Sequence, residues 1–264
     1  MKYFLCLCLA LATAICLISG YSQAYTPTPK CPWQTLQPGF EYRTVPIRTY
    51  EKGISPVMHQ VRVDPKQYKF SLVLAKDYNM TLTTVSNLRK KNNALFAINA
   101  SFFDEHCDLL GYHSIGPRVI NPHVAGGNVL TGVLMLTSNY CNVWDRNSFS
   151  SSQAEVAFQC GPRLIVDGEP TSGLHGAPSR LSGAAIDMNQ RVILYATSVD
   201  GRLTLSQCQS LLMQREIYGG VNPRYAINFD GGSSTGFSLA TEKLSLECPS
   251  LALIPSVLTV AARK

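Results

Sequence analysis

The stretch Tyr225-Ala226-Ile227-Asn228-Phe229-Asp230-Gly231-Gly232-Ser233-Ser234-Thr235-Gly236 sets the reading of the whole chain. Its first residues form an apolar strand that delivers a carboxylate to its end, and the paired glycines then turn the backbone. Successive N–H groups in such a turn, with hydroxyls beside them, suit an anion held next to an acid or base. A tight Asp-Gly turn with polar decoration is the plain structural alternative. Beyond Gly236 the sequence alternates like a second strand, so the segment joins strand to strand.

The neighbouring segments extend that pattern. Val57–Val63 and Tyr68–Ala75 alternate and read as a hairpin across Asp64-Pro65-Lys66. Thr83–Asn92 predicts a short helix, and Ala94–Asn99 a strand running into Ala100-Ser101-Phe102-Phe103. Thr131–Thr137, Val156–Gln159 and Arg163–Val166 are further strands, the last ending at the hairpin signal Asp167-Gly168. Gly183–Asp187 and Arg191–Ser198 pair across Met188-Asn189-Gln190. Leu205–Ile217 is the one clear amphipathic helix, with Ser206 as its expected cap and Gly219-Gly220 as its close. Leu251–Ala262 supplies apolar strands split by Pro255. No repeat or linker divides the chain. The prediction is an α+β fold: a single domain with a mixed, largely antiparallel β-sheet core and few helices.

At the front, Lys2 precedes an apolar run from Tyr3 to Ile18 and a small-x-small ending at Ser22-Gln23-Ala24, the pattern of a cleaved signal peptide over residues 1–24. The run is short for a membrane span. Residues 25–264 are then an exported domain, secreted or periplasmic, with no stable membrane insertion. Tyr25–Pro38 carries four prolines and reads as an extended lead-in. Six of the nine cysteines fall after the leader, Cys31, Cys107, Cys141, Cys160, Cys208 and Cys248, and export predicts three disulfides among them. No C-x-x-C pair occurs, which argues against a zinc-thiolate site.

The 264 residues are 45% hydrophobic and 15% charged, a globular composition. Lys and Arg exceed Asp and Glu by 23 to 17, but only Arg89-Lys90-Lys91 forms a run, so no nucleic-acid footprint is present. Gly232-Ser233-Ser234-Thr235-Gly236 fits the G-x-S-x-G pattern of a serine hydrolase with Ser234 as nucleophile. That fold needs its His after the Ser, and the last His is His175. The loop His106–Gly127 holds His106, His113 and His123 near Asp104, Glu105 and Asp108, residue types that bind a divalent metal; their spacing matches no ligand set, and no cofactor is expected. Asn79-Met80-Thr81 and Asn99-Ala100-Ser101 fit the N-glycosylation pattern.

Several segments, in order, resemble the phosphodiester glycosidase family. They are Ala97–Asp104, Gly161–Gly168, Arg180 with Gly183–Asp187, Asp200-Gly201-Arg202 with Thr204-Leu205, Tyr225–Gly236, and Ile254–Leu258. The resemblance implies a cleft lined by Asn99, Arg180 and Asp230 with the Gly231-Gly232 backbone, and with Asp200, Ser233 and Ser234 nearby. Family members commonly have glycine where this chain has Ala100-Ser101 and Ser233. The implied activity is hydrolysis of the glycosidic C1–O bond of a sugar-1-phosphodiester such as an N-acetylglucosamine-1-phosphodiester, with a phosphoglycan as substrate. In that chemistry the leaving phosphomonoester needs little protonation, so Arg180 and the Gly231-Gly232 amides stabilise charge, Asp230 activates water or stabilises the sugar cation, and Asp200 is the second acid. A glycan-binding or exopolysaccharide-assembly protein of the same fold, without turnover, is the alternative. Read without the resemblance, Asn99 caps a strand end, Arg180 makes a surface ion pair and Asp200-Gly201 is an ordinary turn.

Overall fold

The computed structural model describes residues 31–48, 52–150 and 154–263. The expected leader and residues 25–30 of the proline-rich lead-in lie outside the described residues.

Alternating apolar residues give strands that each bury one face or both, and they assemble into three antiparallel sheets. In the largest, the order from edge to edge is Gln34–Gln37, Phe40–Pro46, Val57–Val63, Val192–Thr197, Ser182–Asp187, Pro223–Asn228, Arg163–Val166 and Glu169–Pro170. A second holds Arg118–Asn121, His113–Ile115, Val156–Cys160, Gly132–Leu136 and Asn142–Asp145. The third holds Ser245–Cys248, Phe237–Ala240, Phe96–Asn99, Ser256–Ala262 and Tyr68–Leu74. Among the described residues every strand pair is antiparallel, and with two short α-helices the expected fold class holds.

One apolar core binds all three sheets. Ile227 and Ala184 come from the first, Phe158 and Leu134 from the second, Phe70 and Phe96 from the third, and Phe229 sits among them with its ring 5.2 Å from that of Phe158. Helix Leu205–Leu212 covers the outer face of the first sheet through Cys208, Leu211 and Leu212. Helix Val85–Lys91 covers the third through Val85 and Leu88. Among the described residues no helix is long and apolar enough to cross a membrane.

Local readings fail where partners are distant. Val57–Val63 and Tyr68–Leu74 are strands but no hairpin: the first pairs with Phe40–Pro46 and Val192–Thr197, the second with Ser256–Ala262 in another sheet. The Asp64-Pro65-Lys66 turn carries the chain from one sheet to the other. The amphipathic helix stops at Leu212, with a 3-10 turn over Glu216–Tyr218 before Gly219. Its cap is Thr204 rather than Ser206, because the Thr204 hydroxyl accepts from the Gln207 amide while the Gln207 side chain accepts from the Thr204 amide. Only Ser256–Ala262 of the Leu251–Ala262 run is a strand.

The three expected disulfides are not formed. All six described cysteines carry free thiols, and five are buried, Cys141, Cys160 and Cys248 in the common core and Cys31 and Cys208 among the apolar residues packed with helix Leu205–Leu212. Cys141 donates to the Thr137 carbonyl, Cys160 packs in the common core, Cys208 lies under the helix, and Cys248 contacts Arg180. Each behaves as a small apolar residue.

Candidate active site

Strand Pro223–Asn228 ends in the first sheet and strand Phe237–Ala240 begins in the third, so residues 229–236 bridge the two. The bridge is anchored at its start by Phe229, fully buried, whose amide donates to the Ser182 carbonyl at 2.8 Å. The Asp230 amide donates to the Ala100 carbonyl at 3.2 Å. A 3-10 turn over Gly232–Ser234 follows, and its first residue has φ +60°, a conformation that costs glycine little. At Gly236 a Cβ would lie 2.5 Å from the Ser250 nitrogen and 2.9 Å from the Cys248 carbonyl oxygen, so no side chain fits there.

Asn99 closes this bridge at both ends. Its Oδ1 accepts from the Gly236 amide at 3.1 Å and its Nδ2 donates to the Asp230 carbonyl at 2.6 Å. The Ser182 hydroxyl also donates to that carbonyl, at 3.1 Å. With the amide side chain occupied by backbone and buried, Asn99 is a positioning residue in this fold, and its glycosylation pattern is inaccessible.

The Asp230 carboxyl accepts from the Ser234 hydroxyl and the Gly231 amide, which favour its charged form. Burial outweighs them and pushes its pKa above the ordinary carboxylate value. Ser234 is thereby committed to Asp230, and the chain beyond it continues into a strand instead of a helix, unlike a serine-hydrolase elbow.

Arg180 is no surface ion pair. The residue is 1% exposed, and its Nη2 donates to the Pro249 carbonyl at 3.0 Å and to Cys248 Sγ at 3.4 Å. Nε and Nη1 are buried with no hydrogen-bond partner among the described residues, and no carboxylate pairs with the charge. Its backbone is fixed beside the Asp230 turn, since the Gly232 amide donates to the Arg180 carbonyl at 2.8 Å. Leu181 is stitched to Thr197 on its other side. A buried guanidinium with two idle donors is costly unless an anion completes it.

This geometry changes the expected anion cradle. The Gly232 amide is spent on Arg180 and the Gly231 amide on the Asp230 carboxyl, so both turn inward. The idle polar atoms are elsewhere at the same sheet ends: Arg180 Nε and Nη1, Asn228 Oδ1, Thr235 Oγ1 and Ser256 Oγ. Ser233 is exposed, and its carbonyl accepts from the Leu251 and Ala252 amides at 2.8 and 3.0 Å. Asp200 stands exposed on the turn after Val192–Thr197, without a polar partner among the described residues.

The three histidines of the loop do not converge. His106 and His123 are exposed, whereas His113 is fully buried in a strand, and among the described residues no three of His, Cys, Asp and Glu gather as a metal set. His113 instead lies against Ser101, two residues beyond Asn99, with Nε2 2.6 Å from the hydroxyl. Sequence reasoning missed this pair, as it missed Cys248 and Pro249 beneath Arg180. Each contact joins residues remote in sequence, and Cys248 stood out only as a disulfide candidate.

A model of the phosphodiester glycosidase family matches residues 92–260, which include Asn99, Arg180, Asp200 and Asp230. This chain belongs to the phosphodiester glycosidase family. Solved structures share the fold at low identity. The catalytic domain of zebrafish N-acetylglucosamine-1-phosphodiester alpha-N-acetylglucosaminidase, auto-inhibited by its pro-peptide, superposes with a TM-score of 0.64 at 16% identity, covering 90% of this chain and 89% of that one. A hypothetical protein from Synechocystis gives 0.59 at 17% identity, covering 91% of this chain but 65% of its own length. A putative exported protein from Burkholderia pseudomallei gives 0.54 at 10% identity, covering 78% of this chain and 74% of the other. No curated protein matches the sequence. In this family member the matched residues include both sides of the bridge between sheets, while the strands over residues 34–63 precede the match.

Proposed function

We propose that this protein is an exported hydrolase that cleaves the C1–O bond of a sugar-1-phosphodiester, of the N-acetylglucosamine-1-phosphodiester kind, releasing free sugar and a phosphomonoester. The observation that carries the reading is the buried Arg180 guanidinium, its Nε and Nη1 unpartnered, with its backbone bonded to the turn that bears Asp230. A phosphate supplies the acceptor oxygens that those donors lack, in the forked geometry a guanidinium prefers.

The leaving group decides what the carboxylates must do. A phosphomonoester has a second pKa of roughly 6, so it departs with little protonation and its charge is the main need. Arg180 meets that need. Asp230, ionised, takes a proton from the water that attacks C1, or faces the cationic sugar as the C1–O bond lengthens; Asp200 is the second carboxylate of this reading. Ser234 orients Asp230, and Asn99 holds the turn that presents it. No cofactor enters this scheme. The leader-like residues 1–24 support export.

The test is incubation of the folded protein with an α-N-acetylglucosamine-1-phosphodiester, with and without chelator, following free sugar and phosphomonoester by mass spectrometry. Chelator-resistant release that disappears in Asp230→Asn is expected. Unchanged turnover in folded Asp230→Asn and Arg180→Ala would overturn the assignment, and phosphoglycan binding without turnover would make this a binding protein.

A further inference from the structure

The segment Pro249-Ser250-Leu251-Ala252-Leu253-Ile254-Pro255 contains no charged side chain. It is sewn to the candidate site along its length. The Pro249 carbonyl accepts from Arg180 Nη2 at 3.0 Å, the Leu251 and Ala252 amides donate to the Ser233 carbonyl, and Ser250 packs against Gly236. Ile254 is buried and exchanges backbone hydrogen bonds with Thr83, which fixes the far end.

On this held loop two leucines face outward, Leu251 at 61% exposure and Leu253 at 51%. Single exposed leucines are ordinary. Two on one uncharged loop, which bonds Arg180 through the Pro249 carbonyl and the exposed Ser233 through the Leu251 and Ala252 amides, form an apolar lip beside the Asp230 turn. An occupant of this lip and of the idle Arg180 donors must be negative at one end and apolar at the other. We infer that Leu251 and Leu253 form the subsite for an apolar group esterified to the phosphate of the substrate. The inference rests on the glycosidase reading above and specifies the substrate's second substituent.

The probes are the methyl and octyl esters of N-acetylglucosamine 1-phosphate for turnover, with inorganic phosphate and octyl phosphate for equilibrium binding. They are compared in the wild-type chain and in the double variant Leu251→Ser, Leu253→Ser, whose exposed positions leave the core intact. Wild type should favour the octyl ester by about tenfold or more in kcat/KM, and bind octyl phosphate more tightly than phosphate by a similar factor. In the variant both ratios should fall towards one. Equal handling of the two esters by wild type overturns the subsite and leaves the glycosidase standing. Turnover of neither ester, with leucine-dependent preference for octyl phosphate retained, overturns the glycosidase and supports the subsite. A leucine-dependent dimer, or leucine-dependent retention on phosphatidylcholine vesicles, without octyl preference, assigns the lip to a second copy or to a membrane surface and overturns the inference.

Discussion

The Ser101 hydroxyl lies 2.6 Å from Nε2 of His113, whose Nδ1 lies 2.8 Å from the Gly111 carbonyl. A carbonyl only accepts, so Nδ1 carries the proton and Nε2 accepts from Ser101. The ring is neutral, and burial pushes its pKa down to about 4; His59, bonded to the Tyr42 hydroxyl, is also lowered to about 4 by burial. Unfolding exposes both to water, where each takes a proton below about 6.5. Stability present above that pH is therefore lost as the pH falls from 6.5 towards 4, at up to about 1.4 kcal/mol per pH unit for each histidine. Denaturant midpoints at pH 7, 6 and 5 should trace the loss, and His113→Asn should remove about half of the slope. A flat profile would contradict the buried neutral pair.

Arg180 predicts a ligand effect measurable without turnover. Inorganic phosphate at about 100 times its Kd should stabilise the fold by about 2.7 kcal/mol. Arg180→Met should abolish the gain and be no less stable than wild type without phosphate, because a buried unpaired charge is replaced by an apolar chain of similar length. A phosphate shift preserved in the variant would place the anion elsewhere.

Asp230→Asn should cut kcat by roughly 10²–10⁴-fold, the range for a positioned proton-transfer group. The raised pKa gives stability present at acid pH and lost as the pH rises through the folded value, so ionised Asp230 costs stability at neutrality. The asparagine variant should accordingly melt higher than wild type at pH 7 and gain nothing near pH 3. For wild type the acid limb of kcat against pH should fall above the ordinary aspartate range. A limb at or below pH 3.8 would remove Asp230 from the proton-transfer role.

Asn99→Ala should lower kcat while leaving the pH limb in place, since it frees the turn without touching the Asp230 carboxyl. Losing the two side-chain bonds leaves the Gly236 amide and Asp230 carbonyl underused, at a cost of about 1–3 kcal/mol for each group left unsatisfied. Chemical denaturation reads the stability, and steady-state kinetics the rest. A variant with wild-type kcat would deny the positioning role.

The free thiols predict selective labelling. Burial pushes Cys141 up to about 11 and Cys208 up to about 12, and Cys160 and Cys248 also rise. Cys107, half-buried, should react with a thiol reagent within minutes, and the others only on unfolding. Intact mass should match fully reduced cysteines; a deficit of about 2 Da per pair would reveal disulfides.

Strand positions were legible in the sequence because alternation is a local signal, as in Val57–Val63 and Arg163–Val166. Partners were not: Val57–Val63 joins Val192–Thr197, and nothing in either sequence names the other. The Thr204 cap was legible in principle as Thr-x-x-Gln, but Ser206 was read instead. At the site, Asp230 announced itself by its strand and glycines. Arg180 did not, because only the fold buries its guanidinium, and the use of the Gly232 amide on the Arg180 carbonyl is a contact that no spacing reveals.

The strand Ser256–Ala262 lies between Tyr68–Leu74 and Phe96–Asn99. As the chain is synthesised, Tyr68–Leu74 waits for its partner, and Phe96–Asn99 for its second after Phe237–Ala240, about 160 to 190 residues downstream. Until it arrives, the strand ending at Asn99, which carries the clasp of the Asp230 turn, is held on one edge only, by Phe237–Ala240. Assembly of the site is therefore a late event, slow by the rule that non-local contacts delay folding. A nascent chain cut short before residue 256 leaves the Asn99 strand with one open edge, however complete its other two sheets.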